Sequence, residues 1–380
     1  MSPKIYRFSI FNSISSGHGG DKRTAQISEI LIEIGIDSER LPKGMDPPVF
    51  TYHNMVMRIL SLKYFLRVLR LTGWDFNPKK LYKTMRLASQ LDGIFNLPEN
   101  KSFPVILWES TRMEYSYVVP FFKSRKLKII ALPHNIESLV PGLRSGLTNK
   151  KSPYWLSEEI SLLKACDFVF AISREDTLLL KQLGVKAEYL PYYPTELTIE
   201  NLLKVREARV KRKCRSIRRK SILMLGSAIN YPTKEGMKDR INFFSEHPEI
   251  CYDLTIAGYG TDQLKYLLKG EENIKIPGEV TDNHLTELMI ETDLLLIHQP
   301  PTSGSLTRII ESLIAGIPVT ANFVSSRNYF DMNGLYTYND DEQLINYLQK
   351  NDFTMPQIPE KPLYEIEMFK RTLSKIISAV

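Results

Sequence analysis

Cysteine is scarce in this 380-residue sequence: Cys166, Cys214 and Cys251 are scattered and odd in number. They lack the spacing of a zinc site or a paired framework, and read as reduced thiols of a cytosolic protein. The six histidines include no His-x3-His or comparable pair, so no metal site is expected. No apolar run reaches the roughly 18–20 residues that cross a bilayer. The opening MSPKIYRFSIFN enters a strand-like pattern directly, without the core of a signal peptide. A dinucleotide fingerprint is missing as well. Neither first strand of the two halves is followed by Gly-x-Gly-x-x-Gly with an acid about 20 residues on, which argues against an NAD-dependent dehydrogenase.

The charge is uneven. Residues 204–220 hold ten Lys or Arg and one acid, Glu207, a local +9 that leaves −2 for the rest of a chain whose net charge is +7. One short segment carries the whole excess, so a broad nucleic-acid footprint is not supported. The segment reads as a solvated interdomain helix, or as a contact with anionic lipid. Residues 54–71 are apolar, with Lys63, Arg67 and Arg70 on one helical face. They read as a packed helix, or as a helix lying on a membrane surface.

With 43% hydrophobic and 24% charged residues the composition is that of an ordinary globular protein, and the length favours two domains of roughly 150–200 residues. Short apolar runs at 4–12, 105–109, 128–132, 167–172 and 187–190 suit buried parallel strands. Helical patterns lie between them at 22–34, 153–165 and 173–183, the last opened by Ser173 as N-cap. Pro191-Tyr-Tyr-Pro194 cannot continue a helix and marks the boundary. Strands resume at 221–226, 252–257, 273–276, 293–297 and 318–321, and an amphipathic helix closes the chain at 361–380. The expected division is 1–195, 196–360, and a terminal helix. Two doubly wound α/β halves place a ligand cleft at the carboxyl ends of their strands.

The strongest chemical signal is Thr302-Ser303-Gly304-Ser305-Leu306-Thr307-Arg308-Ile-Ile-Glu311, followed by Ser-Leu-Ile-Ala-Gly316-Ile-Pro-Val, directly after the strand at 293–297. Small residues allow close backbone approach, and a helix beginning near Ser305 offers free N–H groups to an anion. Arg308 adds charge for a diphosphate, and Glu311 is placed to accept hydrogen bonds from sugar hydroxyls.

This segment resembles the nucleotide-sugar signature of retaining GT-B glycosyltransferases of family 4, a Glu-x7-Glu pattern ending in Glu-Ala-x-Ala-x-Gly-x-Pro-Val. The resemblance implies two Rossmann-like domains facing a cleft, with the last helix crossing back to the first domain. It assigns Glu311 to the ribose and the loop before it to the diphosphate. The family's first Glu, a donor-sugar contact, falls on Ser303, a departure that puts the sugar contacts in question. Further matches follow in order. Gly226 and Ser227 with Lys234 resemble the first nucleotide loop, Gly258-Tyr-Gly260 a strand-end turn, and Gly278 and Val280 the segment beside the base.

In the first half, Gly17-His18-Gly19-Gly20 with Arg23 resembles the glycine-rich loop that faces acceptor and donor. Pro133-His134-Asn135 resembles the family's His-Asn segment, whose histidine meets a sugar hydroxyl, and Arg174 is placed to face phosphate or to be solvated. The implied activity is transfer with retention from a nucleoside-diphosphate sugar, UDP or GDP, without a metal or other cofactor. The acceptor would be a saccharide or a lipid-linked molecule, in the synthesis of cell-surface polysaccharide or glycoconjugate. The expected setting is the cytoplasm, with peripheral contact at the inner membrane face. A nucleotide-sugar 2-epimerase and a non-catalytic nucleotide-sugar-binding module stay open as alternatives.

Overall fold

The computed structural model of the chain describes residues 5–14, 17–41, 105–111, 118–140, 156–212 and 219–379, with isolated positions between 65 and 85. The expected membrane-surface segment at 54–71 therefore lies, apart from isolated positions, outside the described residues, as do 213–218 of the basic run.

The first half runs β1 (Ile5–Phe8), α1 (Gly19–Glu33), β2 (Ser38–Leu41), β3 (Val105–Trp108), α2 (Val118–Ser124), β4 (Lys128–Ala131), α3 (Leu156–Ala165), β5 (Phe168–Ala171), α4 (Arg174–Gln182) and β6 (Ala187–Tyr189). Its six strands lie in the order β2-β1-β3-β4-β5-β6, all pairs parallel. Successive strand residues are buried on opposite faces, which is why these strands are continuous apolar runs. Tyr6, Ile106 and Ile129 meet α2 and α3 on one face, through Phe121, Phe122, Ile160 and Leu163. Ile5, Val105 and Ile130 meet α1 on the other, through Ile27, Ile30 and Leu31.

The second half continues with α5 (Glu196–Lys211), β7 (Lys220–Leu225), α6 (Tyr231–Glu246), β8 (Tyr252–Ala257), β9 (Ile274–Gly278), α7 (Asp282–Glu291), β10 (Leu294–Ile297), α8 (Thr307–Ile314), β11 (Val319–Asn322), α9 (Phe323–Ser326), β12 (Leu335–Tyr338), α10 (Asp341–Lys350) and α11 (Leu363–Ser378). The sheet order is β12-β11-β10-β7-β8-β9, which in local numbering is the 3-2-1-4-5-6 of a dinucleotide-binding sheet. Its order reverses between β7 and β10, as that of the first sheet does between β1 and β3. Ligands of such sheets bind at these switch points.

α11 leaves the second domain and packs on the first. Its Ile366, Phe369 and Leu373 join α1 on one face of the first sheet, with Phe369 edge-to-face on Phe170 at 5.1 Å. Tyr192 and Tyr193, just after β6, are buried in the second domain's core with Leu223, Leu295 and Ile309.

α5 explains part of the basic run. Arg209 donates to the carbonyls of Met289 at 2.8 Å and Ile290 at 3.2 Å, and Arg212 reaches Ile290 at 3.0 Å and pairs with Asp293. Arg206 meets Leu313 and Ile314 at 3.3 Å each. These arginines satisfy the open carbonyls at the C-termini of α7 and α8 and oppose the negative ends of both helix dipoles. Burial lowers the Arg209 pKa to about 10, so it stays charged at neutral pH. Protein carbonyls are the partners of these three; Lys204, Lys211 and Arg219 remain exposed.

Candidate active site

The carboxyl ends of β7, β8 and β9 form one wall. Gly226 follows β7 and Gly258 follows β8, and the two backbones touch. A Cβ on Gly258 would stand 2.2 Å from the Gly226 carbonyl, at a φ of +135°. No other residue fits there, and just beyond it the Ala228 N–H donates to the Tyr259 carbonyl at 2.9 Å. Gly278 ends β9 and Val280 follows it, and Lys234 is half-buried in the first turn of α6. Ile229 and Tyr259 are exposed beside them.

The loop between β10 and α8 forms the centre. Leu306 precedes α8 and offers no side-chain cap, so the first N–H groups of the helix are open to a ligand. Arg308, one residue into α8, folds back rather than outward. Its guanidinium donates to the Leu225 carbonyl, at the end of β7, and to Thr233 at 3.5 Å. Burial lowers its pKa to about 10. The diphosphate contact expected of Arg308 is therefore replaced by a clasp between α8 and β7, since a buried guanidinium needs fixed acceptors.

Glu311 is buried, and both its oxygens are engaged. Tyr192 donates to Oε1 at 2.7 Å, and the Lys22 ammonium lies 2.6 Å from Oε2. Lys22 belongs to the first turn of α1, so the pair joins the two domains. The sequence offered Gly17, His18, Gly19, Gly20 and Arg23 from this loop and passed over Lys22. Helical spacing separates the two: Arg23, about 100° further round α1, turns to the chain after β6. Its guanidinium is 1% exposed and donates to Leu190 at 2.7 Å, Pro191 at 3.0 Å and Gln26 at 2.6 Å. Arg23 thus anchors the linker after β6 instead of a substrate.

Opposite α8, the loop after β1 presents an aromatic group that the sequence did not signal. Phe11 packs edge-to-face against exposed His18, with ring centres 5.5 Å apart, and against His134 at 4.9 Å. Asp21 holds this loop by accepting the Asn12 N–H at 2.6 Å and the His18 N–H at 3.2 Å, the reciprocal arm of a capping box. Gly19 lies against Thr307, so the N-termini of α1 and α8 abut across the cleft.

His134 and Asn135 follow β4 and meet the signature loop directly. Gly304 allows it: a Cβ there would fall 2.0 Å from Asn135 Oδ1 and 2.6 Å from the His134 carbonyl. Ser303 is buried and fully used. Its hydroxyl faces both oxygens of Asp176 at 3.0 Å and accepts the Ile136 N–H at 2.7 Å, while the Gly304 N–H donates to Asp176 at 3.0 Å. Ser303 accordingly joins the domains, and its side chain is not available to a sugar. Thr302 and Gly304 carbonyls accept from Arg327, and Ser305 donates to Tyr329 at 2.6 Å.

Arg174 is also engaged at the domain boundary. Its backbone N–H donates to Asn328 at 3.0 Å and its guanidinium pairs with Asp331 at 3.0 Å, which leaves it facing protein and not phosphate. Behind His134, the carboxylate of Glu159 accepts the N–H groups of Glu137 and Ser138 at 2.8 and 2.9 Å. Burial raises its pKa to about 7 in spite of those bonds. His298, at the end of β10, lies between the Tyr338 hydroxyl at 2.7 Å and Asp239 at 3.1 Å; burial and neighbouring Arg240 lower its pKa to about 4, which keeps it neutral.

Known structures agree with this architecture along the whole chain. Sucrose-phosphate synthase from Thermosynechococcus elongatus superposes with a TM-score of 0.66 at 12% identity, covering 100% of both chains. The chain has the GT-B fold. HepE of Anabaena, solved in complex with UDP-glucose, matches with a TM-score of 0.58 at 13% identity over 100% of both chains. The UDP-GlcNAc 2-epimerase of Methanocaldococcus jannaschii matches at 0.53 and 14% identity, over 99% of this chain and 100% of its own. Identities this low establish the fold and leave the reaction to the site's own chemistry. No protein-family model matches the sequence, and no curated protein does. Among the described residues, no group of three or more His, Cys, Asp or Glu is arranged to hold a metal ion, and no helix is long and apolar enough to cross a membrane.

Proposed function

We propose that this GT-B chain is a glycosyltransferase that takes a nucleoside-diphosphate sugar in its second domain and an acceptor in its first. The observation that carries the reading is the uncapped N-terminus of α8 with the buried carboxylate of Glu311 one turn further in, at the switch point of the second sheet. Open helix N–H groups suit a diphosphate, and a carboxylate one turn away suits the two hydroxyls of a ribose. The rim formed by Gly226, Ser227, Gly258, Gly260, Gly278 and Val280 lets a nucleoside approach the backbone. His134 and Asn135, held against Gly304, bring the first domain to the sugar end of such a donor.

The same reading includes retention at the transferred carbon, no metal requirement, and a saccharide or lipid-linked acceptor in cell-surface polysaccharide or glycoconjugate synthesis. Lys204, Lys211 and Arg219 are the exposed described members of the basic run that a peripheral membrane contact would use. Departure of the diphosphate is assisted by donors already aimed at it, which need no reorganisation during reaction.

A thermal-shift panel of UDP-, GDP-, ADP- and dTDP-sugars, with and without EDTA, tests binding, because a ligand of the native state stabilises it by mass action. Glu311→Gln keeps an acceptor for Tyr192 and removes the charge. It should weaken nucleotide affinity about ten- to hundredfold, the value of one charged hydrogen bond. Unchanged affinity in calorimetry refutes the assignment. Conversion of a UDP-sugar to its epimer without any acceptor would instead select the epimerase.

A further inference from the structure

We infer that Lys22 is a phosphate-binding residue that changes partners: ribose takes Glu311, and the released ammonium moves to the donor's diphosphate. The inference rests on the nucleotide-sugar reading and adds to it a residue from the opposite domain.

Glu311 is buried and each of its oxygens already accepts one partner, so a ribose diol that takes this carboxylate competes with Tyr192 and Lys22 for space and acceptor capacity. Tyr192 is 2% exposed and its ring is fixed in the second domain's core, where an unpaired hydroxyl is costly. The Lys22 side chain is 21% exposed, long, and open to the cleft. Lys22 is therefore the partner that leaves.

Where it goes follows from α8. Glu311 stands four residues after Thr307, about 6 Å along the helix axis at 1.5 Å per residue. Gly19, three residues before Lys22, already packs against Thr307. A rotation of the lysine side chain carries its ammonium from the inner turn of α8 to its N-terminus. The cation of α8's own first turn, Arg308, is held by Leu225 and Thr233 and does not turn to that position. The pair is also not required to hold the domains together. Asp176 with Ser303 and Gly304, Ile136 with Ser303, and Arg174 with Asn328 do so independently.

Such an exchange makes opposite predictions for nucleotides with and without a second phosphate. Lys22→Met removes both the competitor for Glu311 and the cation for the diphosphate. By calorimetry, the variant should bind UMP as well as or better than wild type and bind UDP about tenfold or more weakly, with ADP/AMP and GDP/GMP run alongside. Lys22→Arg should restore most of the UDP affinity. Equal losses for UMP and UDP, or no loss for UDP, would overturn the inference while leaving nucleotide binding intact. Wild-type protein that binds none of these nucleotides would overturn the glycosyltransferase reading and this inference with it.

Discussion

Glu159 offers the most direct test of the electrostatics around the cleft. Its carboxyl is 1% exposed, and burial raises its pKa from 4.5 to about 7. A raised carboxyl pKa means the native state binds the proton more tightly than the unfolded chain does. The contribution is fully present below about pH 4.5 and is lost as pH rises toward 7 and beyond. The size of the shift corresponds to roughly 3 kcal/mol across that window, at 1.36 kcal/mol per unit. Glu159→Gln removes the titration, keeps one acceptor for the Glu137 and Ser138 amides, and should flatten the profile. Trp108 is buried in β3, so tryptophan fluorescence carries a reporter of the first domain's unfolding. Urea melts at pH 5 and pH 8 should show the wild type losing stability with rising pH and the variant holding nearly constant. Parallel wild-type and variant profiles would refute the reasoning, and would mean that the two backbone amides compensate fully for burial.

Two further perturbations address the site. Asp176→Ala leaves the Ser303 hydroxyl and the Gly304 amide without their shared acceptor; faster hydrogen exchange at Gly304 and Ile136 than in the preceding strands β10 and β4, relative to wild type, is expected, and an unchanged pattern would show that the staple is not carried by Asp176. His134→Ala should lower turnover far more than nucleotide affinity, since the ribose and base contacts proposed above lie in the other domain; a lower melting temperature with normal activity in the folded fraction would make His134 a packing residue.

Apolar runs located the central strands closely. The run at 252–257 is β8 residue for residue, and 128–132 differs from β4 only in adding Leu132. β2, with sequence Ser-Glu-Arg-Leu, and β12, with Leu-Tyr-Thr-Tyr, gave no such signal. They are edge strands, half-buried, so their residues need not be apolar. The glycine-dependent contacts of the second domain were legible because close approach demands a particular residue type. The pairing of Lys22 with Glu311, the Asp176–Ser303 staple and the Phe11 cluster were not. Each joins residues from separate elements, and a lysine or an aspartate in a first helical turn looks the same whether it faces solvent or the other domain. Arg23 shows the converse error: charge in a glycine-rich loop suggested a ligand, whereas its place on α1 turns it into the linker.

The two crossings between the domains also determine how the cleft can move. The outgoing chain is fixed up to Pro191 by Arg23 and Gln26 of the first domain, and from Tyr192 onward by the core of the second. The returning chain passes alongside, where Tyr193 donates to the Pro359 carbonyl at 3.0 Å and Lys361 reaches Glu196 at 2.8 Å. Two tethers placed side by side behave like the two plates of a door hinge, permitting a swing about one axis and resisting twist. Tyr192 sits on that axis and holds Glu311. A swing therefore parts residues in proportion to their distance from that axis, and Glu311, tied to the hinge pin through Tyr192, moves least.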